Sequence, residues 1–363
     1  MLTDACFFDK AFIKELRSLD IQQRHELVSK LWPLPDGGTG VFDEFAVKAC
    51  LDYVADELER VRPYRRLFAA QDFDGTISII QRLRTEPSRS YGDIVHDLSS
   101  QFLNMTPEAI RRSLELSVRL WLTFNTHSAD IAVGSISAEE SPTDWAQDVS
   151  LDKLLHDRFA RQTQSHSQQS QPSFDPGLTA AYLVNTCGLT LHWTNDIGSH
   201  LDFDLKRLVL TVYRHKACLI SHLESPHGCP IPSGVLRETL NTIDMLFPFG
   251  DEATRRLLVK EGQSSLYTLG IHEAHPSLEL SYYKYFGVEL GRLMEAFDKT
   301  PRTWRQLALD RRNKLQWSAF WVTVMVAVLT VVSIPCNIIQ ATYSVKAYHA
   351  TLAQGRPSSG GKD

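Results

Sequence analysis

"NKLQWSAFWVTVMVAVLTVVSIPCNIIQATYSVK" runs from Asn313 to Lys346, and 31 consecutive residues between its two lysines carry no charge. In a chain that is 22% charged overall, so long a gap demands a physical reason. From Phe320 to Ile339 eleven residues are Val, Ile, Leu or Phe. At about −0.3 to −0.6 kcal/mol each, they favour lipid by roughly 3–7 kcal/mol. The opposing polar residues are Thr323, Thr330, Ser333 and Asn337; helical Ser and Thr hydroxyls bond back to their own carbonyls, so the cost is small. A helix over Leu315–Ile339 would be about 37 Å long, enough to cross a ~30 Å hydrocarbon core with some tilt. Trp317, Phe320 and Trp321 at one end, with Tyr343 and Tyr348 at the other, match interfacial aromatic belts. A strand of this length would be abnormal, and a buried soluble helix rarely lacks charge for more than about 18 residues. The stretch therefore reads as a single transmembrane helix, Leu315 to Ile339, with the lipid bilayer as its partner.

Orientation follows from flanking cations. Arg302, Arg305, Arg311, Arg312 and Lys314 precede the span, whereas Lys346 alone lies close behind it. The positive-inside rule then puts the N-terminal head in the cytosol. With 24 residues after Ile339, a tail-anchored, single-pass protein of the endoplasmic reticulum or another endomembrane is expected. The start, "MLTDACFFDKAFIKELRS", has Asp4 and Asp9 and no long apolar core, so no secretory signal is expected. Six dispersed cysteines without a CxxC pair fit reduced cytosolic thiols. Residues 1–314 carry −7 of a net charge of −5, the rest carrying +2. Such a head is a poor match for sequence-independent phosphate attraction, and no nucleic-acid partner is expected.

The fold class reads as mainly α: a helical cytosolic region with a small β element, then the anchor. Residues 1–125 are a helical region. "FDEFAVKACLDYVADELERV" places Phe45, Ala49 or Cys50, Tyr53 or Val54, and Leu58 on one face. Two helices join at Asn104; the second has Thr106 as N-cap, Pro107 at its first position and an apolar stripe of Ile110, Leu114, Val118 and Trp121. Residues 126–176 are acidic, then Gln/Ser-rich, and read as a linker or long loop across which two parts of the head could reorient. Residues 177–314 are α-rich with short strands at "GLTLHWT" and "KRLVLTVY", and 340–363 form a short polar tail.

Four constellations could carry chemistry. His192, Asp196 and His200 in "HWTNDIGSHLDFD" are four apart and would share a helical face, as a metal or general-base site requires. The alternation around His192 instead suggests a strand turning at Asn195. In "HKACLISHLESPHGC", Cys218, His222, His227 and Cys229 are zinc-type ligands in an unfamiliar spacing. "HEAHPSLEL" lacks metalloprotease spacing and reads as a loop. "DLSSQFLNMTPEAIRRSLEL" could form a helix-turn-helix reader with Arg111 and Arg112 exposed, though two packed helices with a capped turn are generic. There is no GxGxxG, Walker A, GxSxG or HExxH motif, and no cofactor is implied.

Several stretches resemble a large family of uncharacterised fungal proteins: "IRRSLELSVRLWL" (Ile110–Leu122), "LTLHWTNDIGSHL" (Leu189–Leu201), "GVLRETLNTIDMLFP" (Gly234–Pro248) and "DRRNKLQWSAFWVTVMVAVLTVV" (Asp310–Val332). That family shows a Trp-Thr followed by a short helix ending His-Leu, an Arg-Glu-Thr-Leu helix ending Leu-Phe-Pro, and a terminal membrane span. Asn195-Asp196 stands where its members more usually have Asp-Asn, which weakens a role for Asp196. The resemblance covers roughly residues 110–345. It implies a fungal source, a helical cytosolic head and the anchor, and it supplies no activity, cofactor or catalytic residue. The expected function is that of a membrane-anchored adaptor or regulator with protein partners at a cytosolic surface. The alternatives are a tethered enzyme or accessory protein of fungal specialised metabolism using His192, Asp196 and His200, and a membrane-released DNA binder.

Overall fold

The computed structural model describes residues 8–32, 44–128, 142–163, 173–224, 229–271, 277–298 and 314–354. They fall into two units, divided between Lys299 and Thr300.

The first unit is mainly helical. Its helices are α1 (Lys10–Ser18), α2 (Ile21–Leu31), α3 (Glu44–Val61), α4 (Phe73–Thr85), α5 (Tyr91–Gln101), α6 (Pro107–Leu122), α7 (Leu151–Thr163), α8 (Ala180–Asn185), α9 (Lys216–Glu224), α10 (Ser233–Leu246), α11 (Glu252–Lys260), α12 (Ser264–Thr268) and α13 (Gly287–Asp298). The strands are β1 (Thr126–His127), β2 (Thr143–Asp144), β3 (Thr190–Thr194), β4 (Phe203–Asp204) and β5 (Val209–Tyr213). β5 is the middle strand of the larger sheet, parallel to β3 and antiparallel to β4.

Helix α6 is the centre of this unit. Its start is the one the sequence encodes: the Thr106 side chain accepts from the Ala109 N–H, with Pro107 in the first turn. Its end is Thr123, in the left-handed region at φ 52. Ile110, Leu114, Val118 and Trp121 are buried, and so are Ser113, Glu115, Ser117 and Arg119 on the other faces. From Ser113 to Leu122 every residue of the helix is buried, whereas Pro107 and Glu108 in its first turn are exposed. Arg111 and Arg112, expected to be exposed, are half-buried. The α3 face also differs from expectation: Cys50, Tyr53, Val54 and Leu58 are inside, but Phe45 is 61% exposed and Ala46 and Val47 take its place.

The expected separation of the head at 126–176 does not hold. β1 pairs with β2, Trp145 is buried against Tyr91 at 4.7 Å between ring centroids, and α7 lies within the same stretch. Residues 129–141 and 164–172, most of the acidic and Gln/Ser tracts, lie outside the described residues. The parts on either side share one core: the Trp32 indole donates to the Trp121 carbonyl beside His222, and Tyr213 bonds Thr123 at 2.7 Å. Composition changes along the chain, but the core forms between segments far apart in it. The described residues on either side of the tract belong to one compact unit.

The second unit contains α14 (Lys314–Gln354), a 41-residue helix. Within Trp317–Leu352 an 18-residue window has a mean hydropathy of 2.3, and none of that window is buried by protein. Thr323 and Thr330 bond back to the carbonyls of Ala319 and Val326, both at 2.8 Å, so their hydroxyls are satisfied within the helix. The helix does not stop at Ile339, where apolar composition thins. Ala341, Ala347, Ala350 and Leu352 are good helix formers, so the polar tail stays helical to Gln354. Pro335 lies inside α14 and leaves the Val331 carbonyl without its usual N–H partner.

Candidate functional site

His192, Asp196 and His200 do not form one face. His192 belongs to β3 and pairs with Thr211 in register. The strand ends at Thr194, so the four-residue spacing loses its helical meaning. Asp196 caps a 3-10 turn over Ile197–Ser199. Its Oδ1 accepts from the Gly198 and Asn125 N–H groups at 3.0 and 3.2 Å, and its Oδ2 accepts from the Ser199 hydroxyl at 2.9 Å. His200 is fully buried. Its Nδ1 accepts the Tyr213 N–H at 3.2 Å, which leaves the proton on Nε2 to donate to Thr242 Oγ1 at 2.7 Å. Thr242 passes its own proton to the Thr239 carbonyl at 2.8 Å. Burial pushes the His200 pKa down to about 3. A neutral imidazole with both nitrogens bonded and no route to solvent is a packing element.

Of the candidate zinc-type ligands Cys218, His222, His227 and Cys229, the described ones do not come together as a metal site. His227 lies outside the described residues. Cys218 Sγ contacts Cys50 Sγ at 3.8 Å across α9 and α3, while His222 Nε2 bonds the Trp121 carbonyl at 2.9 Å. Burial pushes the Cys229 thiol up to about 12 and the His222 imidazole down to about 3. Among the described residues no group of three or more His, Cys, Asp or Glu side chains could hold a metal. The "HEAHP" residues 272–276 also fall outside the described residues.

The structure instead brings together polar residues that the sequence gives no reason to connect. Glu57 of α3, fully buried, accepts from the Asn195 amide at 2.5 Å. Arg60 and Arg119 lie 3.3 and 3.7 Å from its carboxylate. Asn195 Oδ1 accepts from Arg214 Nε at 2.6 Å and His215 Nε2 at 2.7 Å. A carbonyl oxygen only accepts, so His215 carries its proton on Nε2. Burial, then Arg214 and Arg60, holds the His215 pKa well below the usual imidazole range. Tyr53 packs at a tilt against His215, 4.4 Å between centroids, and donates a hydrogen bond from its hydroxyl to the Arg119 carbonyl.

This network forms the back of a cleft of about 410 Å³ between α3, the β5–α9 junction and the α11–α12 turn. Tyr53, Arg214 and His215 line it together with Asp52, Gln263 and Ser265. Lys216 also lines it, almost wholly buried, with its ammonium bonded to Asp244 and the Gly270 carbonyl. The size suits a small molecule. The buried neighbours fix the rotamers of Arg214 and His215, as a binding site needs.

A second carboxylate has a different task. Glu238, buried on α10, accepts the N–H groups of Lys284, Tyr285 and Phe286 at 2.7, 2.8 and 3.2 Å. It thereby closes the turn entering α13, and the Tyr285 ring packs over Gly234, where an added Cβ would come within 2.7 Å of it. The "RETL" and "WTND…HL" stretches are thus interior clasps in this fold. Neither a protein-family model, nor a curated protein, nor a solved structure matches the chain.

Proposed function

We propose that the protein is a single-pass membrane-anchored adaptor or regulator whose helical head stands in the cytosol at an endomembrane surface, a kinship with the resembled fungal family being part of that reading. The observation carrying it is α14, a helix of the length and hydropathy to span a bilayer with its apolar window uncovered by protein. Flanking cations at Arg302, Arg305, Arg311 and Arg312 support the cytosolic orientation. Anchoring raises local concentration near partners on the same membrane, so weak pairwise contacts suffice. The sealed His200 and the engaged Asp196 speak for a scaffold over a tethered enzyme built on those residues. Protease added to intact microsomes should digest the head and spare α14; a protected head refutes the orientation. Proximity labelling by the anchored chain, compared with a version ending before Leu315, should lose its membrane-protein neighbours on truncation. An unchanged neighbour set refutes the adaptor reading.

A further inference from the structure

The cleft beside α3 has a charge arrangement that goes beyond a scaffold. Lys48 pairs with Asp52 at 2.6 Å, Lys216 pairs with Asp244, and Asp56 is already engaged. Behind the wall, Glu57 lies 3.3 and 3.7 Å from Arg60 and Arg119, and Arg60 is engaged elsewhere as well. Arg214 is left over. Its Nε is tied to Asn195, while among the described residues no carboxylate lies within ion-pair distance of its guanidinium. Arg214 therefore presents its remaining N–H donors to a half-buried cleft in a rotamer fixed from behind. A guanidinium held this way matches the oxygens of a carboxylate or phosphate in bidentate fashion.

Neighbouring groups favour an organic anion over a bare ion. Gln263 and Ser265 add uncharged polar groups, whereas Phe45, 61% exposed, and Tyr53 add aromatic surface to the same cleft. An exposed phenylalanine at the rim of a site with a fixed cation suits a ligand with an apolar body and one anionic end. We propose that this cleft binds a small organic anion, a carboxylate or phosphate monoester with an aromatic or apolar body, through the Arg214 guanidinium and the Phe45 ring.

The test uses detergent-purified full-length protein and three probes: phenyl phosphate, benzoate and inorganic phosphate, titrated by calorimetry. Phenyl phosphate or benzoate should bind, and whichever binds assigns the anion type. Arg214→Gln should weaken that binding by about tenfold or more, the value of a charge-assisted pair of bonds. Because Arg214 also braces Asn195, a second variant guards against misfolding. Phe45→Ala, at an exposed position, should weaken the aryl probe about three- to tenfold while leaving inorganic phosphate unchanged. The proposal is overturned if neither aryl probe binds the wild type. It is equally overturned if binding survives Arg214→Gln, or if Phe45→Ala changes nothing.

Discussion

Two aspartates in the middle of α14 should convert the protein from an integral to a soluble or aggregated species. Val328 and Val332 lie one turn apart, 56% and 59% exposed, so no protein contact is lost on replacing them. Each Val→Asp change costs about 3 kcal/mol at a helix centre, plus the few tenths the valine contributed. Together Val328→Asp and Val332→Asp cost roughly 6–7 kcal/mol, which matches or exceeds the roughly 3–7 kcal/mol that the apolar residues supply. Val328→Leu with Val332→Leu keeps the hydropathy and serves as control. The assay is carbonate extraction of membranes, followed by detergent extraction. Wild type and the Leu variant should remain in the pellet until detergent is added, and the Asp variant should appear in the first supernatant or as an aggregate. If wild type is released by carbonate, α14 is not a membrane span. If the Asp variant stays membrane-integral, something other than α14 holds the protein there.

Three further outcomes follow from the interior of the first unit. Lys216→Met leaves Asp244 buried without its cation, so unfolding of the detergent-purified chain in urea should lose about 3–5 kcal/mol, and Lys216→Met with Asp244→Leu should recover most of it; a loss under 1 kcal/mol in the single variant refutes the pairing. Burial raises the Glu115 pKa from 4.5 to about 7, against the Ser128 N–H and Arg119 which lower it. The folded state then binds the proton more tightly than the unfolded one, so stability falls by up to about 3 kcal/mol as pH rises from 4.5 to 7. Glu115→Gln keeps an acceptor for Ser128 at 2.8 Å and should remove that slope, gaining on wild type as pH rises through this window. His200 and His222 act oppositely, losing stability as pH falls from 6.5 towards about 3, and cancel when the two profiles are subtracted; parallel profiles refute the Glu115 assignment. Finally, Cys50 and Cys218 sulfurs 3.8 Å apart are near a bond of about 2.05 Å. A cytosolic head should yield both as free thiols on alkylation after denaturation without reductant, and a linked pair would place the head in an oxidising lumen.

Legibility in the sequence tracked the range of the interaction. The α6 start was readable because Thr106, Pro107 and the apolar stripe are local. β3 and β5 were readable because alternation is local as well. The Glu57 network was not. Its members at 57, 119, 195 and 214 lie on separate elements, and a glutamate in "DELERV" looks like any solvated helix face. Lys216 and Asp244 are hidden for the same reason, since nothing near either announces a buried partner 28 positions away. Phe45 was misplaced because helical periodicity defines a stripe without saying which neighbour covers its edge. α14 outran its expected end because composition marks a membrane boundary, whereas helix propensity decides where the helix stops.

That contrast bears on where function can reside. Histidine, aspartate and cysteine attract notice in a sequence because they can do chemistry, yet here His200, His222 and Asp196 are bonded at element junctions with little or no access to solvent. Holding a short parallel strand pair against surrounding helices leaves buried backbone N–H and C=O groups beyond the ladder, and each must be met by a side chain or it costs stability. Asp196 and His200 meet the N–H groups of Asn125, Gly198 and Tyr213, and Glu238 meets three more. Their chemistry is used by the fold and is unavailable to a substrate. What stays available among the described residues is an arginine fixed from behind with no carboxylate in ion-pair reach, and an apolar helix that none of them covers. A small organic anion and a lipid bilayer are the partners those two features suit, which is why both proposals rest on them.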